Sequence, residues 1–394
     1  MTAAARALEG ITVLSLEQAT VLPFLTYRLA CDGARVIRVE NAERPDPNRF
    51  VGQDVLGELD MRSYFLPNNC GKEAITLNLA EAEGRAILHE LIRALRVDVF
   101  ATNQRPKSYA RLGIDSDTLK AVKPDLIWLG VTGFGPDHDE AAYDPVLQAR
   151  AGFMELTGDP DGPPTAFGLP MVDLGAAEHG YSEVMKALYH RAVTGAGARL
   201  DVSLLRSAVS WMASPLLLSA SLGERITRKG NTHQFFAPVS VFATRDGYVY
   251  VAVGTDQQWA ALTEIPAFAE LAQPAYVRNA GRIAEAPRLH RELAGRFAHL
   301  TTGEAQALLQ QAGVPISRVN TLADVVADPL VAAALVRIRD PRTGLTIVLP
   351  APPAGDPPPL AFPPRLGEHN ETIYGDVLGL SGDVRANLAR EGVI

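Results

Sequence analysis

The chain has 394 residues, 47% of them apolar and 21% charged, with a mean hydropathy of +0.03. That length exceeds what one ordinary core organises, so two domains of a globular protein are expected. A formal net charge of −8 without a strongly basic stretch argues against a nucleic-acid partner, while a few local cations would still suffice to hold an anionic ligand.

The first residues turn polar before a secretory apolar region accumulates, and no run of about 18 apolar residues follows. The expectation is a cytoplasmic chain with no membrane partner. Residues 11–16 (ITVLSL) read as a buried strand. Residues 23–33 read as a helix with Pro23 in its first turn and Gly33 past its end. Arg35–Glu40 and residues 74–79, 97–102 and 125–133 read as further strands. Between them, Ala82, Ala86, Leu88, Leu91, Ile92 and Leu95 follow the period of an amphipathic helix. Such alternation predicts an α/β fold with a doubly wound parallel sheet, whose ligands collect beyond the carboxyl ends of strands. Asn103 and the turn Gly133-Phe134-Gly135 stand at such ends. The two cysteines, Cys31 and Cys70, form no paired motif and suit a reducing compartment.

After about residue 205 the texture changes. Residues 209–231 read as a helix running into a Gly-Asn turn, and residues 240–254 as a β-hairpin turning at Asp246-Gly247. Residues 255–265 and 303–313 read as helices. A large Rossmann-like domain is therefore expected over 1–205 and a smaller α+β domain over 225–325. The Pro-rich passage 349–369 reads as an extended strap, followed by a helical tail.

Familiar catalytic signatures are missing. No GxGxxG follows the first strand, there is no P-loop or nucleophile elbow, and the eight histidines form no metal-ligand pair, so no metal site is expected. Attention falls on carboxylates. In GLPMVDLGAAEHGYS, Asp173 precedes an apolar stripe of Leu174, Ala177, Tyr181, Val184 and Leu188. It reads either as a helix N-cap or as a nucleophile, and the two are compatible. A carboxylate at a helix start is expected to have a lowered pKa and to be ionised, as a nucleophile must be. Gly168 and Gly175 leave room around it for a bulky group. Asp144, after Tyr143, reads as the cap of a helix over 145–156. Arg38, inside a strand, reads either as a structural ion pair or as a phosphate contact. The loop from Asn103 to Arg105, with Arg111 beyond it, reads either as phosphate-binding or as solvated.

Across nearly its whole length the chain resembles the class III coenzyme A transferases, a group that includes formyl-CoA, carnitine and benzylsuccinate CoA-transferases and the related α-methylacyl-CoA racemases. The resemblance is carried by residues 8–40, by NNCGKEAITLNL with Lys72, by VDVFATNQRPKSYARLGID, by LTGDPDGPPTAFGLPMVDLGA, by TGAGARLDVSLL, by residues 230–249 and by RLGEHNETIYGDVLGL. It implies an interlocked homodimer and a large domain built from both chain ends, with residues 345–394 as the strap and helix returning to it. It implies coenzyme A as co-substrate, no tightly bound cofactor, and Asp173 as the catalytic aspartate. Thr20, Arg38, Leu77, Asn103, Gln104 and Arg111 fall on CoA-binding positions, and Tyr143 and Tyr64 on acyl-site positions. Tyr143 stands where the racemases carry histidine, and racemisation needs a base on each face of the α-carbon. Only Gly254 remains of the glycine-rich run that closes over the formyl-CoA enzymes, and Gln104 replaces a phenylalanine that stacks on adenine.

The expected reaction is attack by Asp173 on an acyl-CoA, giving an aspartyl anhydride and then an aspartyl-CoA thioester. Backbone N–H groups at the helix start after Asp173 are expected to hold the oxyanion. A small di- or hydroxy-carboxylic acid is the expected acceptor, with succinyl-CoA as donor. His233 either holds its distal carboxylate or is a turn residue. The rival readings are an acyl-CoA racemase or isomerase and a catalytically silent CoA-binding subunit.

Overall fold

The computed structural model describes residues 6–353 and 359–394. In chain order the first elements are β1 (Thr12–Leu16), α1 (Val21–Cys31), β2 (Arg35–Glu40), β3 (Lys72–Thr76), α2 (Ala82–Ala94), β4 (Val99–Thr102), α3 (Tyr109–Leu112), α4 (Ser116–Val122) and β5 (Ile127–Thr132). They are followed by α5 (Asp144–Arg150), α6 (Phe153–Leu156), α7 (Met171–Thr194), β6 (Ala198–Ser203) and α8 (Leu204–Ser210). The chain divides into two compact units, Met1–Ala151 with Gly168–Leu217 and Ala334–Ile394, and Gly152–Phe167 with Leu218–Ala333. Residues 152–167, expected in the first domain, thus group with the second.

The first unit is built on a six-stranded parallel sheet in the order β3-β2-β1-β4-β5-β6. Leu14 is flanked by Ile37 on β2 and Phe100 on β4, and all three are fully buried. Strands covered by helices on both faces read as mainly apolar runs, which is why β1, β4 and β5 fall where expected; β2 does so too, although the buried Arg38 interrupts its run of Val36, Ile37 and Val39. β3 begins two residues earlier than the pattern indicated and ends at Thr76. β6 escapes the pattern because it is an edge strand. Its sequence ARLDVS alternates, with Arg199 and Asp201 pairing with each other on the outside. The sheet order reverses between β1 and β4, and the loops after these strands part to leave a crevice there.

The C-terminal segment completes this unit. Leu335–Arg339 and Thr346–Pro350 form an antiparallel pair, β10 and β11, so the Pro-rich passage begins as a strand end. Five of its residues, 354–358, lie outside the described residues. Further on, the strap runs along the outer edge of β3. Gly71 N–H donates to Ala361 O, His369 N–H to Ala74 O, Thr76 N–H to Asn370 Oδ1, and Tyr374 Oη to Thr76 O. Ile373, Tyr374, Leu388, Val393 and Ile394 join Leu14, Ile75 and Phe100 in one core.

The second unit holds the antiparallel sheet β7 (Val239–Thr244), β8 (Gly247–Ala252) and β9 (Ile316–Arg318). Its core is Val249, Val251, Trp259, Leu262, Phe268, Leu293, Phe297 and Leu309. Helices Asp256–Glu264 and Thr302–Gln311 both start with capping boxes, Thr255 with Gln258 and Thr301 with Glu304. The hairpin turns at Arg245-Asp246, one residue before the expected Asp246-Gly247. Thr244 pairs with Gly247, and the Asp246 carboxylate accepts from Thr302 N–H at 2.7 Å. The helix expected over 209–231 is broken after α8 into short turns ending at Ser221. Among the described residues no helix is long and apolar enough to cross a membrane.

Candidate active site

Helix α7 opens at Met171, after Pro170, so Asp173 is its third residue. Proline offers no capping side chain, yet every N–H of the first turn is satisfied. Met171 N–H donates to Leu169 O (2.8 Å) and Leu174 N–H to Pro170 O (2.9 Å). Val172 and Asp173 N–H both donate to Asp144 Oδ2, at 2.7 and 3.0 Å. The cap is therefore Asp144, reaching in from α5, and the expected capping role of Asp173 is corrected. Asp144 does not cap its own helix; it is the first residue of α5, 5% exposed, and its Oδ1 accepts from Gln148 Nε2.

Relieved of that task, the Asp173 carboxylate has no hydrogen-bond partner among the described residues. Burial, with the neighbouring Asp144 carboxylate, pushes it up to about 7. This reverses the lowered value expected of a helix start. The expected oxyanion donors change as well, because the N–H groups beside Asp173 are already taken by Asp144.

Two glycines of α7 set its neighbours. A Cβ on Gly180 would lie 2.5 Å from Leu25 Cδ1, so its absence lets α1 pack closely on α7. A Cβ on Gly175 would lie 1.9 Å from Trp211 Cη2. The space expected at Gly175 for substrate is thus filled by an indole ring, while Gly168 stays open.

Asp173 lines a cavity of about 190 Å3 at the sheet's switch point. Its wall is made by Gln18, Ala19, Thr20 and Val21 after β1, Asn103 and Gln104 after β4, Gly133 after β5, and Tyr143. The Asn103 side chain braces the β1 loop, accepting from Gln18 N–H (3.1 Å) and donating to Gln18 O (2.8 Å). A second groove of about 360 Å3 shares Gln18 and Gln104 with the first and continues past Leu77, Asn41, Arg44, Asn78 and Arg111.

The model of CoA-transferase family III matches residues 8–370. This chain belongs to CoA-transferase family III. The family III chain is 30% identical to a mouse succinyl-CoA:glutarate CoA-transferase over 98% of its own length and 90% of the relative's. It is 31% identical to a Streptomyces coelicolor formyl-CoA:oxalate CoA-transferase, over 99% of this chain and all of that one. A solved CAIB/BAIF family protein from Brucella suis superposes with a TM-score of 0.84 at 31% identity, covering 95% of this chain and all of that one.

Within this family III enzyme, the cavity brings together Asp173, Thr20, Asn103, Gln104 and Tyr143, the last 73% exposed. Leu77 and Arg111 meet Gln104 in the second groove. Arg38 opens onto neither. It is fully buried between Glu40 (2.9 Å), Asp46 (3.1 Å) and Glu17 (3.7 Å), and it hydrogen-bonds Asn69. Of its two readings the structural ion pair describes this placement, and Arg44 is the cation that β2's loop gives to the groove. Tyr64, 47% exposed, lines neither space. His233 belongs to the second unit, where its Nδ1 accepts from Phe235 N–H and its ring packs against Phe236. Among the described residues no cluster could hold a metal ion. Sequence reading missed Gln18 and Arg44, and it missed Asp144's reach to α7. The only local signal for the latter was Gln148 one helical turn on.

Proposed function

We propose that this enzyme moves CoA from an acyl-CoA, such as succinyl-CoA, to a small dicarboxylic acid through covalent intermediates on Asp173. The observation that carries this reading is a carboxylate with no hydrogen-bond partner among the described residues, held by a fully capped helix start, in a cavity that joins a longer groove bearing Arg44 and Arg111. The acids named for the two relatives, glutarate and oxalate, are both dicarboxylic.

A raised pKa makes Asp173 a stronger nucleophile than an ordinary aspartate while leaving an ionised population near neutral pH. Its oxygen attacks the thioester carbonyl and expels CoA thiolate, forming a mixed anhydride. The thiolate attacks the aspartyl carbonyl, releases the donor acid and leaves an aspartyl-CoA thioester. An acceptor carboxylate then runs the steps in reverse. Retaining the nucleotide end of CoA in the Gln104–Arg111 groove would keep the thiolate beside the anhydride, replacing a bimolecular step by a local one. The assembly proposed is an interlocked homodimer in the cytoplasm.

The test is incubation with succinyl-CoA and a panel of carboxylic acids, followed by trapping with hydroxylamine or borohydride. The expected result is new CoA esters and an adduct on Asp173. Full transferase activity in Asp173→Ala would sink the mechanism. Deuterium exchange at the α-carbon of a 2-methylacyl-CoA with no acceptor acid present would instead identify an isomerase.

A further inference from the structure

Attack on a thioester turns its carbonyl oxygen into an oxyanion, and a water-poor site must supply donors for it. The start of α7 has none to give, since Met171, Val172, Asp173 and Leu174 N–H are all engaged. A second helix start lies in the same cavity. Thr20 and Val21 line it at the beginning of α1, an eleven-residue helix. Among the described residues neither Thr20 nor Val21 N–H has an acceptor, and N–H groups at a helix start project along the axis away from its body. The Thr20 hydroxyl does not cap α1 and has no other partner among the described residues, although Thr20 is only 8% exposed. A hydroxyl of a mostly buried residue that lines the cavity with no partner among the described residues, beside free N–H groups of a positive dipole end, is a site made for an anionic oxygen.

The approach to this helix start is held with unusual firmness. Ala19 adopts φ +63, a conformation that L side chains rarely take. Its N–H donates to Asp46 Oδ1 (3.0 Å) and its carbonyl accepts from Asn48 Nδ2 (2.7 Å). Asp46 is held in turn by Arg38. Clamping both sides of one residue fixes the direction in which α1 begins.

We infer that the α1 start, with Thr20 Oγ1 and the Thr20 and Val21 N–H groups, is the oxyanion hole of this enzyme. This rests on the reading of Asp173 as nucleophile. An Asp173 oxygen forms a bond to the thioester carbon, and the carbonyl π pair moves onto oxygen, where α1 receives it. When that pair returns, the C–S bond breaks and the electrons leave with CoA thiolate. Asp46 and Asn48 are positioning residues acting through Ala19.

The experiment uses the full-length enzyme with succinyl-CoA and glutarate. Thr20→Val removes the hydroxyl and keeps the shape, Thr20→Ala removes it without demanding space, and Thr20→Ser restores it. The expected result is a kcat lower by about 10²-fold in the first two, an unchanged KM for both substrates, and recovery in the serine variant. An unchanged kcat, or a loss confined to KM, overturns the inference. A readout independent of turnover is the carbonyl stretch of isotope-labelled succinyl-CoA bound to Asp173→Asn. It should lie below that of the free thioester and move back towards it when Thr20→Val is added; equal stretches in the two proteins also overturn the inference. A wild-type enzyme that transfers no CoA would fail the underlying reading itself. Wild-type transfer with indifferent Thr20 variants would fail only the oxyanion assignment.

Discussion

The setting of Asp173 depends on a neighbour 29 positions away. Asp144 does two things at once: its Oδ2 ties down the backbone of Val172 and Asp173, and its charge helps to hold the Asp173 carboxyl up at about 7. In the proposed mechanism only the ionised form attacks, so acylation should fall as pH drops through that value and level off above it. Asp144→Asn keeps an acceptor for the two N–H groups and removes the charge. The midpoint of the acylation profile should therefore move to lower pH in that variant, measured by single-turnover transfer between pH 5 and 9. A midpoint that stays near 7 would assign the shift to burial alone. Nothing near Asp173 in sequence announces this arrangement, because the side chain that caps α7 belongs to a helix separated from it by an intervening segment. The stripe that follows Asp173 correctly announced a helix start, and local spacing then assigned the cap to the only carboxylate in view.

At the scale of elements, legibility follows burial. β1, β2, β4 and β5 are covered on both faces, and their mainly apolar runs, interrupted in β2 by Arg38, gave their places within a residue or two; β6 lies at an edge, and its alternating Arg199 and Asp201 hid it. The contact between α7 and Trp211 was also hidden, since a glycine in a helix can signal space as easily as a filled seat. Here the seat is filled. Gly175→Ala would drive a methyl into the indole, and overpacking of this kind costs about 1–3 kcal/mol. The expected outcome is a lower melting temperature with a red-shifted tryptophan emission as the Trp211 ring moves outward. Trp128 and Trp259 are buried elsewhere and give a steady background. Unchanged emission would mean that the helix, rather than the ring, gives way.

Across the first unit, six buried charges join parts of the chain that are far apart in sequence. Arg38, Arg49 and Lys72 face Glu17, Glu40 and Asp46, with Arg49 also donating to Pro364 O of the strap. The charges balance, so removing one cation strands buried carboxylates. Arg38→Met should lower stability by about 3–5 kcal/mol in denaturant unfolding, more than its lost packing would explain. A loss below about 1 kcal/mol would mean that the cluster relaxes or admits water.

The strap along β3 also has a bearing on how the protein is made. The partners of Thr76 on that edge, Asn370 and Tyr374, are synthesised almost 300 residues later. Until they arrive, a nascent chain carries an open strand edge, the kind of template on which unfinished chains stick to one another. The yield of folded enzyme should therefore depend on translation running through to the strap, and chains stopped before residue 361 should accumulate as aggregates rather than as a smaller working protein.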